Sequence, residues 1–329
     1  MSSRVIYLNG QFLPESEAKV SVYDLGVMQA AAVFEMTRSF HGTTFKLREH
    51  VDRLMASIAT IGILPTPQDS PYINKTLPFE YFRAGMEKAC QEVMARNDHG
   101  PGEEHRLLIC VSPGPAPMYR EIAGDGPTVL ITDFPLRYTT AGLGRQFTEG
   151  GTAIISSVEQ ISNQAIPCKA KHRSRLAFHL AQQEAIQRGA DWAILLDHDG
   201  NIAESPGANV LLVEGGVLIN PTGTCLDGIS RAYVLELAEA LGIPCESSPV
   251  AGSRLSTADE IILTGTPFCA LSLVNIDGHQ IGDGTPGPVY KKLLAAWSES
   301  VKIPIDKQII EWDNETYEKS HQGAVLSKA

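Results

Sequence analysis

The chain has 329 residues, of which 43% are hydrophobic and 20% charged, and its formal net charge is −11. This length predicts about two domains, while the negative charge and scattered basic residues argue against nucleic acid as a partner. No apolar run approaches the ~20 residues of a membrane span, so we expect a cytoplasmic protein without a membrane partner.

The first part of the chain predicts short strands and two helices. RVIYLNGQFLP has the alternation of a hairpin that turns at Asn9-Gly10, and VFEMTRSFHGTTFKL predicts two strands joined across His41-Gly42. Helices are predicted for residues 47–63 and 79–97, followed by the apolar strands RLLICVS and TVLITDF. The proline and glycines of PLRYTTAGLG, residues 135–144, predict a linker between domains 1–134 and 145–329.

The second part predicts a strand in GTAIISSVEQ, a helix after KHRSR, and a run of short strands between residues 191 and 221. In this run each strand can pair with its predecessor, as in a meander. A glycine-led helix follows in LDGISRAYVLELAEALGI, then the strand ADEIILTGT, and we expect disorder in the polar tail from about Trp312. Because strands and helices mix without βαβ regularity, we predict an α+β fold.

The six cysteines are far apart in the sequence. They form no CxxC pair and no Cys/His cluster at the spacing of a zinc site, so we predict buried or free thiols and no metal. They are Cys90, Cys110, Cys168, Cys225, Cys245 and Cys269.

Three segments have residues that suit a phosphate. Gly228 permits a close approach, Ser230 is a plausible N-cap, and the amides of the first helical turn would favour an anion. The hydroxyls of Thr264-Gly265-Thr266 and the guanidinium of Arg53 are further possible donors. Taken singly, an ordinary capped helix, a solvated turn and a surface arginine paired with Glu49 explain them as well.

Glu204, at the end of a strand beside a turn, could pair with a protonated ring nitrogen, or it could be a solvated loop carboxylate. GLGRQF has Phe147 in place of the third glycine of a dinucleotide motif, which argues against that cofactor. The chain also has no G-x-S-x-G elbow and no Walker A stretch, the signals of serine hydrolases and nucleotide triphosphatases.

Six motifs occur together in one order. They resemble the class IV (fold type IV) pyridoxal-phosphate aminotransferases, a family that includes branched-chain and D-amino acid aminotransferases and aminodeoxychorismate lyase. The resemblance runs from about Tyr7 to Asp277 and implies a two-domain, D-amino acid aminotransferase-like fold, a site at the domain interface and a homodimer. The motifs are LNGQFLPESEAKVSVYDLG, VFEMTRSFHGTTFKLREHVDRL, KHRSRLAFHLAQQEA, GNIAESPGANVLLVEGGVLINP, LDGISR and ADEIILTGT.

The resemblance implies a role for each matching residue. Lys171 would form the Schiff base with pyridoxal 5'-phosphate, with Lys169 as the competing assignment, and Glu204 would contact the pyridine nitrogen. Arg175 stands near the place of a tyrosine that contacts the phenolic oxygen in branched-chain enzymes. Asn209 matches a recurrent asparagine of structural role. The implied phosphate contacts are Arg53, Ile229, Ser230 and Thr266, and the substrate-side residues are Arg38 and Arg106.

The resemblance leaves the reaction open among related enzymes. We predict an aminotransferase that moves an amino group between a branched-chain-like amino acid and a 2-oxo acid. The KHxxRL pattern favours the alternative of a 4-amino-4-deoxychorismate lyase that releases pyruvate, and a D-amino acid or amine transaminase is a further alternative. Gln29 and Ala30 stand where family transaminases commonly have an aromatic residue and a glycine, so the wall of the substrate pocket departs from the pattern. A non-catalytic protein of this fold would be expected to lack Lys171 or Glu204.

Overall fold

The computed structural model describes residues 4–63, 79–124 and 126–326. The chain divides into two compact units, one formed by Met1–Leu136 with Lys169–Arg175 and the other by Arg137–Cys168 with Leu176–Ala329. Part of the sequence assigned to the second domain, Lys169–Arg175, thus belongs to the first unit, and short helices occupy much of the stretch predicted as a linker.

The first unit contains a six-stranded antiparallel sheet with the strand order β2-β1-β6-β5-β3-β4. The predicted hairpin is confirmed, because Leu8 pairs with Gln11 and the turn residues Asn9 and Gly10 both have positive φ, 48° and 90°. The strands are β1 Val5–Leu8, β2 Gln11–Pro14, β3 Val33–Phe40, β4 Thr43–Thr44, β5 His105–Ser112 and β6 Thr128–Pro135.

Two long helices accompany this sheet. The predicted helical spacing is confirmed in α2, where Val51, Leu54, Met55 and Ile58 are buried in one core with residues of α3, β5 and β6. Lys46, with positive φ, precedes α2 and turns the chain from the hairpin into the helix. The helices of this unit are α1 Leu25–Gln29, α2 Leu47–Thr60, α3 Phe79–Arg96 and α4 Arg120–Ala123.

The second unit contains a nine-stranded mixed sheet with the order β12-β11-β10-β13-β14-β7-β8-β9, and β15 pairs with β14. The predicted meander is confirmed from β8 to β9 and from β10 to β11. β9 and β10 are joined by the tight Pro206-Gly207 turn, where Ser205 and Ala208 form an antiparallel bridge, and beyond this turn β10 pairs along its length with β13. The strands are β7 Gly151–Ile155, β8 Trp192–Leu196, β9 Ile202–Glu204, β10 Asn209–Glu214, β11 Val217–Pro221, β12 Cys245–Ser248, β13 Glu260–Gly265, β14 Cys269–Ile276 and β15 His279–Gln280.

The helices of the second unit also differ from the sequence expectations. One connects the parallel strands β7 and β8, so a βαβ unit is present within the α+β fold. The last helix begins where Ile305, Ile309 and Trp312 are buried at helical spacing, so the chain at Trp312 is packed rather than disordered. The helices are α5 Arg137–Thr140, α6 Gly144–Glu149, α7 Leu176–Gln187, α8 Ile229–Ala240, α9 Pro288–Val301 and α10 Ile305–Leu326.

Among the described residues, every helix is too short or too polar to cross a bilayer.

Candidate active site

The segment Lys169–Arg175 is fixed to β3 and α2 by its backbone. The amide of Phe34 donates to the carbonyl of Lys171 over 2.9 Å, and the amide of Lys171 donates to Ser57 Oγ over 3.1 Å. Lys171 is half-buried, whereas Lys169, two residues upstream, is exposed. Of these two lysines, Lys171 therefore has the more defined and less solvated position.

Three cationic side chains surround the ring of Phe34. Lys171 Nζ lies 4.9 Å from the ring centroid, and the guanidinium carbons of Arg173 and Arg175 lie 4.3 Å and 6.0 Å from it. Burial, followed by the charges of Arg175 and Lys171, lowers the pKa of His172, so its imidazole is neutral at pH 7. Its Nδ1 has no hydrogen-bond partner among the described residues. Such a basic neighbourhood suits an anionic ligand.

A buried carboxylate, Glu35, connects β3 to α2. Arg53 binds it at two points, Nε to Oε1 over 2.6 Å and Nη2 to Oε2 over 2.8 Å, and His50 Nδ1 lies 2.7 Å from Oε2. Burial raises the pKa of Glu35, but attraction to Arg53 and the hydrogen bonds from Arg53 and His50 outweigh it and lower the pKa to about 2. Arg53 is therefore tied to a buried carboxylate, and the alternative of an ordinary surface arginine is wrong.

Sequence reasoning missed both Glu35 and His50. The alternation of β3 could have identified Glu35, because Val33 and Thr37, which have the same parity, are buried and a charge on that face needs a partner. His50 and Arg53 are three residues apart and therefore share one face of α2. Burial lowers the pKa of His50, which makes its neutral imidazole the donor to the Glu35 carboxylate.

Arg38 and Arg106, the two candidates for the substrate carboxylate, are opposite each other on β3 and β5. Arg38 is buried, with its guanidinium carbon 4.0 Å from the centroid of Phe40. Arg106 is half-buried, and burial and the nearby Arg173 lower its pKa. Arg106 is the more accessible of the pair, and the substrate role of each stays a prediction.

Glu204, at the end of β9 in the second unit, is a buried residue, so the alternative of a solvated loop carboxylate is wrong. Gln160 Nε2 donates to its Oε1 over 2.7 Å. A buried carboxylate of this kind can pair with a cationic ring nitrogen if one is bound, because burial strengthens the attraction between opposite charges.

No side chain among the described residues caps the start of α8. Gly228 is the N-cap residue, and the prediction of Ser230 at that position is wrong because Ser230 is the second residue of the helix and is buried. A Cβ atom at Gly228 would lie 1.9 Å from Asn209 Oδ1, so a larger residue here would displace the Asn209 side chain. Ile229, the first residue of α8, is half-buried. The first-turn amides thus remain suited to an anion.

Asn209 brings the start of α8 and the Thr-Gly-Thr turn together. Its Nδ2 donates to the carbonyl of Leu226, just before α8, over 2.9 Å, and in the sheet it pairs with Thr264. Thr264 Oγ1 is buried and has no hydrogen-bond partner among the described residues, and Thr266 is half-buried. Two of the predicted phosphate-binding segments are therefore neighbours, and Asn209 has the structural position expected of it.

Comparisons with known proteins agree on one family. The family model Amino-transferase class IV matches residues 32–276. The chain is 31% identical over 300 residues to the branched-chain-amino-acid aminotransferase of Escherichia coli, covering 89% of this chain and 91% of that protein. It is 28% identical over 299 residues to the D-alanine aminotransferase of Bacillus licheniformis, covering 90% of this chain and 96% of that protein.

Solved structures give the same result at the level of the fold. The E. coli branched-chain enzyme matches with a TM-score of 0.77 and 29% identity, over 90% of this chain and 94% of that one. The T.th. branched-chain enzyme, complexed with N-(5'-phosphopyridoxyl)-L-glutamate, matches with a TM-score of 0.75 and 28% identity, over 92% and 95% of the two chains. These matches confirm the resemblance and the α+β fold type IV architecture. The chain belongs to the class IV aminotransferase family and is a transaminase.

Proposed function

We propose that this transaminase uses pyridoxal 5'-phosphate to move the amino group of a branched-chain-like amino acid to a 2-oxo acid. The observation that carries the proposal is the position of Lys171, which is fixed through its backbone, half-buried and surrounded by cations near a buried Glu35–Arg53 pair. The names of the E. coli and T.th. relatives support the substrate class.

The residues of each unit fit the groups of this cofactor. In the second unit, the uncapped start of α8 with Ile229 and Ser230, and the turn with Thr266, would bind the phosphate. Glu204 would hold the ring nitrogen in its protonated form. In the first unit, Arg53, oriented by Glu35, would contact the phosphate as the resemblance implies, and Arg175 would act on the phenolic oxygen.

Lys171 would have two tasks. Its amine would hold the cofactor through the aldehyde carbon, and when released it would move the proton at the substrate Cα. Bound pyridoxal phosphate supplies a sink for the electrons that the Cα–H bond leaves behind. Arg106 and Arg38 would orient the substrate carboxylate, and the neutral His172 adds no further cation beside the Lys171 amine.

The first test compares two lysine variants. We expect Lys171→Ala to abolish turnover and to lose the cofactor that borohydride fixes to the wild-type chain, because no other amine replaces its position. Lys169→Ala, the matched control two residues away, should keep most activity, since Lys169 is exposed. Mass spectrometry of the reduced, digested protein locates the modified lysine. A label on Lys169 would refute the assignment.

The second test separates the possible reactions. The purified holoenzyme is mixed with single L-amino acids, D-amino acids, primary amines or aminodeoxychorismate, and the absorbance of the cofactor is followed in half-reactions. Conversion to the pyridoxamine form by branched-chain L-amino acids supports the proposal. Conversion only by D-amino acids or amines would assign a different substrate class, and pyruvate release without conversion would assign a lyase.

We also propose that the enzyme is a cytoplasmic homodimer, as the family resemblance implies. Supporting this, the first unit has large apolar side chains on its surface: Val22, Val27, Met118 and Ile122 are exposed. Stacking of Tyr23 on Tyr119, with ring centroids 4.3 Å apart, brings the segments that contain them together. Exposed apolar surface of this kind is characteristic of an interface.

A further inference from the structure

The first unit contains a cluster of two imidazoles and one carboxylate that the proposed reaction does not use. His99 follows α3, His105 is the first residue of β5, and Asp133 lies on β6. Since His105 pairs with Pro135, two residues after Asp133, the side chains of His105 and Asp133 are on the same face of the sheet. The candidate ligand atoms of all three residues lie within 4.8 Å of one another.

Hydrogen bonding leaves part of this cluster unsatisfied. His105 Nδ1 lies 2.8 Å from Asp133 Oδ2, which is a hydrogen bond. His99 Nε2 lies 3.2 Å from the same oxygen but has no hydrogen-bond partner among the described residues, and neither has Asp133 Oδ1. The side chains of His99 and Asp133 are 5% and 0% exposed, so water does not readily replace the missing partners.

We propose that His99, His105 and Asp133 bind a divalent transition-metal ion of the Zn²⁺ type. Imidazole nitrogens with a carboxylate oxygen are a common ligand set for such ions, and metal–ligand bonds of about 2.0–2.2 Å place ligand atoms roughly 3.3 Å apart. The two measured separations are slightly shorter than this, so small outward shifts of the side chains would admit the ion. His99 Nε2 has no hydrogen-bond partner among the described residues. Its lone pair could therefore bind the cation.

The surroundings favour a cation and give it access. The carboxylates of Asp98 and Glu104 act electrostatically on His105, so the region is acidic. His105 also lines a pocket of about 360 Å³ between β4 and α3. Three protein ligands leave a fourth position for water or a small ligand that enters from this pocket. The ion would tie the chain after α3 to β5 and β6.

The test uses the tag-free holoenzyme after dialysis against a chelator and then against metal-free buffer. Titration with ZnCl₂ is followed by elemental analysis, competition with a chromophoric chelator and thermal unfolding. We expect one bound Zn²⁺ per chain and a rise in Tm. Asp133→Asn and His99→Gln should weaken binding at least about tenfold, because each removes a ligand. His198→Gln is the matched control, since His198 forms an exposed pair with Asp199 and should leave binding unchanged.

Two results would overturn the site. One is failure of the wild-type holoenzyme to retain zinc, which would leave an ordinary hydrogen-bonded cluster. The other is zinc binding by Asp133→Asn and His99→Gln equal to that of the control. X-ray absorption of the wild-type zinc protein does not depend on the folding of any variant. Nitrogen and oxygen ligands support the proposal, whereas a sulfur ligand would assign the ion to the cysteines.

Discussion

At the scale of single residues, Glu35 fixes the position of the Arg53 guanidinium through a two-point ion pair. Because its pKa falls from 4.5 to about 2 on folding, its contribution to stability is complete above pH 4.5 and is lost as the pH falls toward 2. This shift corresponds to about 3 kcal/mol. Glu35→Gln should therefore lower the free energy of unfolding at pH 7 by about 2–4 kcal/mol.

The measurement is urea unfolding between pH 2 and pH 7. In Glu35→Gln the acid-dependent loss of stability below pH 4.5 should be smaller than in the wild type, and the cofactor should dissociate more readily because Arg53 has lost its two-point partner. Glu17→Gln, at an exposed position, is the control for the change of net charge. Equal acid profiles for the two variants would contradict the role given to Glu35.

Sequence could identify residues that carry a motif, but not those defined only by packing. Lys171 and Glu204 are identified from family motifs, and the first is half-buried and the second buried. The cluster of His99, His105 and Asp133 has no recognisable spacing in the chain, because β-sheet register and a loop bring these residues together. Ser230 is predicted as a cap from its residue type, whereas α8 starts one residue earlier, at Ile229, with Gly228 packed against Asn209 as its N-cap.

At the scale of elements, Asn209 couples β10 to the start of α8. Asn209→Ala leaves the carbonyl of Leu226 without this donor, so the first turn of α8 should be less well positioned for the phosphate. We expect the affinity for pyridoxal phosphate to fall about tenfold, equivalent to about 1.4 kcal/mol. The measurement is fluorescence titration of apoenzyme with the cofactor.

Asn220→Ala gives a matched control on the adjacent strand β11. Asn220 Nδ2 donates to Ser247 Oγ over 3.0 Å. Asn220→Ala therefore also loses a side-chain hydrogen bond, but this bond does not involve the residues just before α8. Similar losses of thermal stability are expected in both variants. A similar loss of cofactor affinity in both would mean that Asn209 acts through general stability alone.

The local sequence pattern predicted most helices and strands, but it could not predict which distant strands pair with each other. The hairpin, α2 and α3 agree with their predicted positions because turn chemistry and apolar spacing are local signals. The pairing of β10 with β13, and of β7 with β8 in parallel across α7, joins strands that are distant in the chain. The periodicity of a strand does not identify its partner, so the predicted meander gave pairing between neighbours in the chain but not the pairing of β10 with β13.

At the scale of the whole molecule, the proposed homodimer would cover the apolar surface that includes Met118. This side chain is 80% exposed in the single chain. If the homodimer forms through this surface, Met118→Glu should shift it toward monomer by placing a charge in the interface, as measured by light scattering across a range of concentrations. Leu241→Glu, at an exposed apolar residue of the second unit, is the control and should remain dimeric. Unchanged mass for Met118→Glu would place the interface elsewhere.

Because Lys169–Arg175 belongs to the first unit, this unit can complete its fold only after that later segment has been synthesised. The edge of β3 near Phe34 receives its backbone partner only after residue 171 has been added, more than 30 residues beyond the end of the first continuous segment at Leu136. The first unit therefore cannot complete its hydrogen bonding while only its own first 136 residues have left the ribosome. An N-terminal fragment that ends at Leu136 would lack Lys171, and a fragment that begins at Arg137 would carry Lys169–Arg175 without the backbone partners of this segment, so neither unit corresponds to one uninterrupted stretch of the gene.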